Sequence, residues 1–106
     1  MKLVIAIIQD RDTDAALERL NARKVPVTRI ATSGGFIREG NTTLLMGVEE
    51  GQVRVIEIIL RETCHRRKMY IPMAVGDTAY GLHSQIEVEV GGASVFVLEV
   101  EHFEQV

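Results

Sequence analysis

An unbroken run of aliphatic residues near the start of the chain, Leu3, Val4, Ile5, Ala6, Ile7 and Ile8, restricts what the chain can fold into more than any other feature. A strand wetted on one side alternates apolar with polar residues, whereas a run with no polar position suits a strand covered on both faces in the middle of a sheet. The run is too short for a membrane span or a signal-peptide core, and Gln9, Asp10, Arg11 and Asp12 follow it at once. Neither export nor membrane insertion is expected. The single Cys64, with no second cysteine for a disulfide or a thiolate metal site, fits a cytoplasmic protein. The rest of the chain must then supply neighbours for both edges of this strand and cover for both its faces.

Those neighbours are legible downstream. Asp10 is placed to cap a helix over about residues 11–23, with Asp12 and Asp14 favoured near its positive end and Ala15, Ala16, Leu17 and Leu20 forming an apolar stripe. Pro26 stops that helix, and Val27, Ile30 and Ala31 begin a strand that runs into Thr32, Ser33, Gly34 and Gly35. A β-prone run over residues 42–48 follows Gly40, so two strands flank a glycine loop as a hairpin, with Phe36 and Arg38 at its tip. Val53, Ile56, Ile59 and Leu60 recur at helical spacing and predict a second helix over residues 52–64. Periodicity then fails. Residues 65–85 carry Pro72, Gly76 and Gly81 among scattered apolar side chains and are expected to form a long loop with at most a small hairpin. Residues 86–90 and 95–100 alternate and give two closing strands, joined by a turn at Gly91 and Gly92.

The expected fold class is α+β: a ferredoxin-like βαββαβ plan plus an extra C-terminal strand, in a single domain over residues 1–106 with loops at about 33–40 and 65–85. Both helices then cover one face of the sheet and leave the other to meet neighbouring subunits. Composition points the same way, because a lone 106-residue domain buries a modest share of its surface and a chain rich in Val, Ile and Leu gains by self-association. A net charge of −3 from 15 acidic and 12 basic residues, without a basic stripe interleaved with aromatics, argues against a nucleic acid polymer as partner.

The most specific stretch is Ala31, Thr32, Ser33, Gly34, Gly35, Phe36, Ile37, Arg38, Glu39, Gly40, Asn41, Thr42, Thr43. Together with the segment from Ala6 to Asp10 and that from Val88 to Leu98, it resembles the PII-like cyclic-di-AMP receptor family over almost the whole chain. The resemblance implies a PII-like homotrimer of ferredoxin-like subunits, with one cyclic-di-AMP in each of three clefts between subunits. It further implies signal transduction without catalysis, in which ligand reorganises two loops that regulate a target protein the sequence does not identify. No cofactor is expected beyond that ligand. By the same resemblance Thr28, Phe36, Ile37, Asn41 and Gly47 line the cleft from one subunit, and Phe96 and Gln105 complete it from the neighbour.

The residues suit that chemistry in their own right. Adenine has a flat π-face and a hydrogen-bonding edge. Phe36 with Ile37 supplies an apolar platform for the first, while Asn41, an acceptor and a double donor, complements the second, and Thr28 adds a hydroxyl. Consecutive amides around Gly34 and Gly35 can form a concave nest for phosphate without a lysine. Gly47 lets a base approach its strand closely. Gly34 and Gly35 alone would mark only a tight turn, Asn41 a cap and Phe96 a core or interface residue; the surrounding match carries the stronger reading.

The chain departs from the family at Lys24, Val25 and Pro26, where relatives have an Asn, an aromatic and an Arg, the Asn and Arg contributing to the ligand site. Lys24 can reach a phosphate as a point charge, but Pro26 has no side-chain donor, so a trimer that binds a different nucleotide or anion stands as the second reading. A third is a small ferredoxin-fold hydrolase of the acylphosphatase type, which lacks an active-site loop here. Cys64, His65, His83 and His102 match no metal-ligand spacing. The glutamates at 87, 89, 99 and 101 read as solvent-facing strand charges, and His65, Arg66, Arg67 and Lys68 as the favourable positive end of the second helix. No catalytic constellation can be assembled.

Overall fold

The computed structural model describes residues 1–32, 40–74 and 83–106. Its elements run β1 (Lys2–Gln9), α1 (Asp10–Ala22), β2 (Thr28–Thr32), β3 (Asn41–Val48), α2 (Glu50–Thr63), β4 (Arg66–Ala74), β5 (His83–Gly91) and β6 (Ala93–Glu99). An antiparallel four-stranded sheet has the order β2-β3-β1-β6, so the apolar run forms a central strand. With two helices, the architecture is α+β and compatible with a ferredoxin-like fold.

Alternation along β1 decides what its two faces do. Val4, Ala6 and Ile8 are buried with Leu44, Met46 and Val48 of β3, Ala16 and Leu20 of α1, and Ile56, Ile59 and Leu60 of α2. Burying each of the larger side chains contributes about 1.5–3 kcal/mol, which makes this one-sided layer the main source of stability. Leu3, Ile5 and Ile7 point the other way, where no helix packs among the described residues, and Ile7 is 37% exposed. The helices therefore cover one of the two faces of this central strand.

The helix ends differ slightly from expectation. Gln9 is the N-cap of α1, and Asp10, expected to cap it, lies in the first turn and accepts a hydrogen bond from Thr42 Oγ1 at 2.5 Å instead. At the other end Lys24 N–H donates to Asn21 O at 3.0 Å and Val25 N–H to Leu20 O at 3.1 Å, a Schellman motif that seats Val25 in the core and puts Lys24 at φ 58. α2 is closed by reciprocal bonds between Glu49 and Gln52.

The larger correction concerns residues 65–100. The segment expected to be a long loop forms β4 and β5, which pair from Arg66 with Gly91 to Ala74 with His83 as a separate two-stranded sheet. Residues 86–90 thus leave the main sheet, and the final strand, expected as an addition, takes the fourth place beside β1. Gly91 and Gly92, at φ 88 and 73, carry the chain from one sheet to the other rather than closing a hairpin. Alternation shows that a segment is a strand but not which partner it pairs with. Arg66, Arg67 and Lys68 belong to β4, not to the end of α2, and Lys68 and Arg66 reach Glu87 and Glu89 at 3.2 and 3.7 Å across the ladder. Pro72 is tolerated because a two-stranded ladder leaves one side of each strand unpaired. The hairpin projects: the chain extends over 62 × 26 × 19 Å with a radius of gyration of 17.9 Å, against about 13 Å for a compact domain of this length.

Candidate functional site

The pairing registers align the expected residues on the open face of the sheet. Thr28 lies opposite Leu45, Leu45 opposite Ile5, and Ile5 opposite Phe96, which makes one row across all four strands. Gly47, Leu3 and Leu98 form the row on one side of it, and Ile30, Thr43, Ile7 and Ser94 the row on the other. Asn41, opposite both Thr32 and Gln9, follows at the far end. Thr28, Asn41, Gly47 and Phe96 consequently share the face that no helix covers. It is apolar and accessible: Ile30, Phe96 and Leu98 are 43%, 53% and 47% exposed.

Within the single chain these residues do not converge. Thr28 sits on the β2 edge and Phe96 on the β6 edge, three strand-to-strand steps of roughly 4.8 Å apart, too far for both to touch one purine ring. Gln105 lies beyond β6 in the exposed terminal segment. Nothing crowds Gly47, where an added Cβ would meet the Met1 methyl at 3.4 Å, an ordinary contact. Gly34, Gly35, Phe36 and Ile37, and with them the expected anion nest and apolar platform, lie outside the described residues.

The root of that glycine segment is firmly held. Thr32 pairs with Asn41 across the two strands, the Asp10 amide donates to Gly40 O at 3.1 Å, and the Asp10 carboxylate holds the Thr42 hydroxyl. A depression of about 220 Å³ lined by Gln9, Asp10, Arg11 and Gly40 opens beside it. A larger pocket, about 420 Å³, lies on the helix face between α2 and β6, lined among others by Arg61, Cys64, Arg66 and Val95, and includes none of the expected ligand residues.

One cluster has no counterpart in the sequence reading. Arg67 of β4 donates through Nη2 to Asp12 Oδ1 at 2.7 Å and through Nη1 to Asp12 Oδ2 at 3.1 Å and Gln9 Oε1 at 2.9 Å. Gln9 and Asp12 are buried, and their hydrogen bonds with a planar guanidinium fork are the strong kind; donation to the Asp12 carboxylate raises the Arg67 pKa. Arg67 stood out only as one of three consecutive cations, and no spacing rule links it to a carboxylate 55 residues earlier. Burial pushes the Cys64 thiol pKa up, so it is not an activated nucleophile. Among the described residues no three His, Cys, Asp or Glu side chains converge as metal ligands, and no helix is long and apolar enough to cross a membrane.

Known proteins share this fold. A solved structure, that of a functionally unknown protein from Pediococcus pentosaceus ATCC 25745, is 38% identical, with a TM-score of 0.71 over 99% of this chain and 96% of that one. A family model described as the cyclic-di-AMP receptor matches residues 1–106, every residue of the sequence. The chain belongs to the cyclic-di-AMP receptor family.

Proposed function

We propose that the protein is a homotrimeric sensor that binds cyclic-di-AMP in clefts between subunits and acts by binding, its loops regulating a partner protein, rather than by catalysis. The observation that carries this reading is the shared open face. Thr28, Asn41 and Gly47 lie on the β2–β3 side and Phe96 on the opposite edge, so a cleft that uses all four takes its two walls from two protomers. Association through that face also covers the apolar residues that the helices leave bare, the outstanding requirement of β1. Phe36 and Ile37 with the Gly34 and Gly35 amides then complete the purine and phosphate contacts from the segment rooted at Thr32 and Gly40, and Gln105 reaches the cleft from the neighbour.

A second reading, another adenine nucleotide or anion in the same cleft, is favoured by one observation. Lys24 and Pro26 stand where relatives carry two ligand-contacting residues, and Lys24 is held exposed at the end of α1. Calorimetry with cyclic-di-AMP, ATP and cyclic-di-GMP separates the two. Micromolar or tighter binding of cyclic-di-AMP alone, lost in Asn41→Ala and weakened in Phe36→Ala, is the expected result. Heat from ATP but none from cyclic-di-AMP would transfer the site to the second reading.

A further inference from the structure

The contact at the base of the hairpin joins two bodies that are otherwise complete. The four-stranded sheet and its helices close their own core, and β4 and β5 satisfy each other as a ladder. The Arg67 guanidinium ties them together by gripping Gln9 and Asp12. The same short stretch holds the start of β3: Gln9 is the strand partner of Asn41, and Asp10 holds Gly40 and Thr42. Residues 9–12 are thus gripped by the hairpin on one side and by the root of the 33–39 segment on the other.

We infer that Arg67 is a positioning residue that couples occupancy of the cleft at Asn41 to the placement of the β4–β5 hairpin. The inference deepens the proposed nucleotide reading and rests on it for the identity of the ligand. The Asp12 side chain is only 4% exposed and the Arg67 side chain 30%, so a small drift would leave a buried carboxylate short of donors. The latch is therefore made or broken rather than graded, the kind of bistable contact through which small shifts are amplified. The second strand of the hairpin closes on the same point. Gly92 N–H donates to His65 O at 3.1 Å, and a Cβ at Gly91 would lie 2.2 Å from that oxygen and 3.1 Å from Gln9 Oε1. A ligand that fixes Asn41 fixes its ladder partner Gln9, and Gln9 is one of the acceptors of Arg67. Because coupling free energy is reciprocal, a hairpin that responds to ligand must also change the affinity for ligand.

The test is hydrogen–deuterium exchange with calorimetry on the full chain, comparing wild type, the paired variant Asp12→Asn/Arg67→Gln, and Arg67→Lys. The paired variant removes both charges together and leaves no buried carboxylate orphaned; the lysine keeps the charge but loses the fork. In wild type, cyclic-di-AMP changes exchange across 66–74 and 83–91. In both variants it still binds, with affinity weaker by roughly 5- to 10-fold, and hairpin exchange no longer responds. Without ligand, the amides of Gly40, Asn41 and Thr42 exchange faster in the variants while the midpoint of global unfolding holds. Hairpin amides that respond to ligand in a variant as in wild type would overturn the coupling, as would unchanged ligand-free exchange at 40–42. Absence of cyclic-di-AMP binding to wild type would instead refute the ligand reading, and the ligand-free comparison would still decide the role of Arg67.

Discussion

Replacing Phe96 with serine tests whether the open face is an assembly surface. Phe96 occupies the middle row of the sheet and is 53% exposed in the protomer. A phenylalanine presents about 200 Å², which leaves about 100 Å² for a neighbour to cover, or about 2.5 kcal/mol at ~25 cal/mol per Å². Over three equivalent interfaces that is about 7.5 kcal/mol, or more than five powers of ten in the trimer equilibrium constant, since each ~1.4 kcal/mol is tenfold. That constant carries concentration squared, so the concentration at half-assembly rises by the square root, a few hundredfold. The part of Phe96 already covered within the protomer costs it about 2 kcal/mol as well, seen as a lower Tm. Sedimentation velocity over a dilution series reads the assembly, and far-UV circular dichroism confirms that the variant folds. A half-assembly concentration within a factor of about three of wild type would refute the argument, and a wild type that stays monomeric would refute the trimer itself.

Two more outcomes follow from single residues. Lys24 sits at φ 58 as the left-handed residue of a Schellman motif, so Lys24→Gly is expected to stabilise the protein by about 0.5–1 kcal/mol, a rise of a few degrees in Tm; an unchanged or lower Tm would mean the backbone there is unstrained. Burial raises the Cys64 thiol pKa, so the folded state keeps its proton where the unfolded state loses it: the contribution is full below the unfolded thiol pKa, about 8.5, and disappears as pH rises through the higher folded value. Urea midpoints at successive alkaline pH values should fall more steeply in wild type than in Cys64→Ala, and equal slopes would contradict this.

What was legible in the sequence were the elements whose periodicity is set by one buried face. The stripe of α1 and the 3.6-residue spacing of α2 are fixed by contact with the same core, so local pattern and tertiary outcome agree, and the unbroken run of β1 marked a central strand although the helices cover one of its faces. The extent of the hairpin, of which the sequence suggested only a small version, was hidden because its pairing is not written in local periodicity. Tyr70 is 56% exposed, and the ladder alternates Arg66, Lys68, Glu87 and Glu89, whose pairing is visible only once both strands are known. The same reason explains the misplaced fourth strand: residues 86–90 and 93–99 both alternate, and pairing partner is a non-local property. In the site, residue types indicated Asn41 and Thr28, the family resemblance added Phe96, and register put the three on one face. Gln9, Asp12 and Arg67 could not be foreseen, because a buried ion pair between distant segments has no local signature.

The place where the hairpin is inserted bears on how such a sensor would report. It interrupts the chain between α2 and β6, so its second strand ends at Gly91, two residues before β6 begins and five before Phe96. In the proposed trimer each cleft then takes one wall from the β2–β3 side of one protomer and the other from the strand that carries the hairpin of its neighbour. A nucleotide bound there would touch the root of the glycine segment in the first protomer and, through β6, bear on the base of the hairpin in the second. Arg67 joins those same two structures inside every protomer, from β4 to Gln9 and Asp12 and so to Asn41. In that trimer cleft and latch would alternate around the ring, which would give each binding event a physical route to the next cleft and make the latch a link that a mutation can cut without touching the ligand. Loss of ligand response in the hairpin with retained assembly, as expected for the Arg67 variants, would therefore separate the signalling path from the binding surface on which it runs.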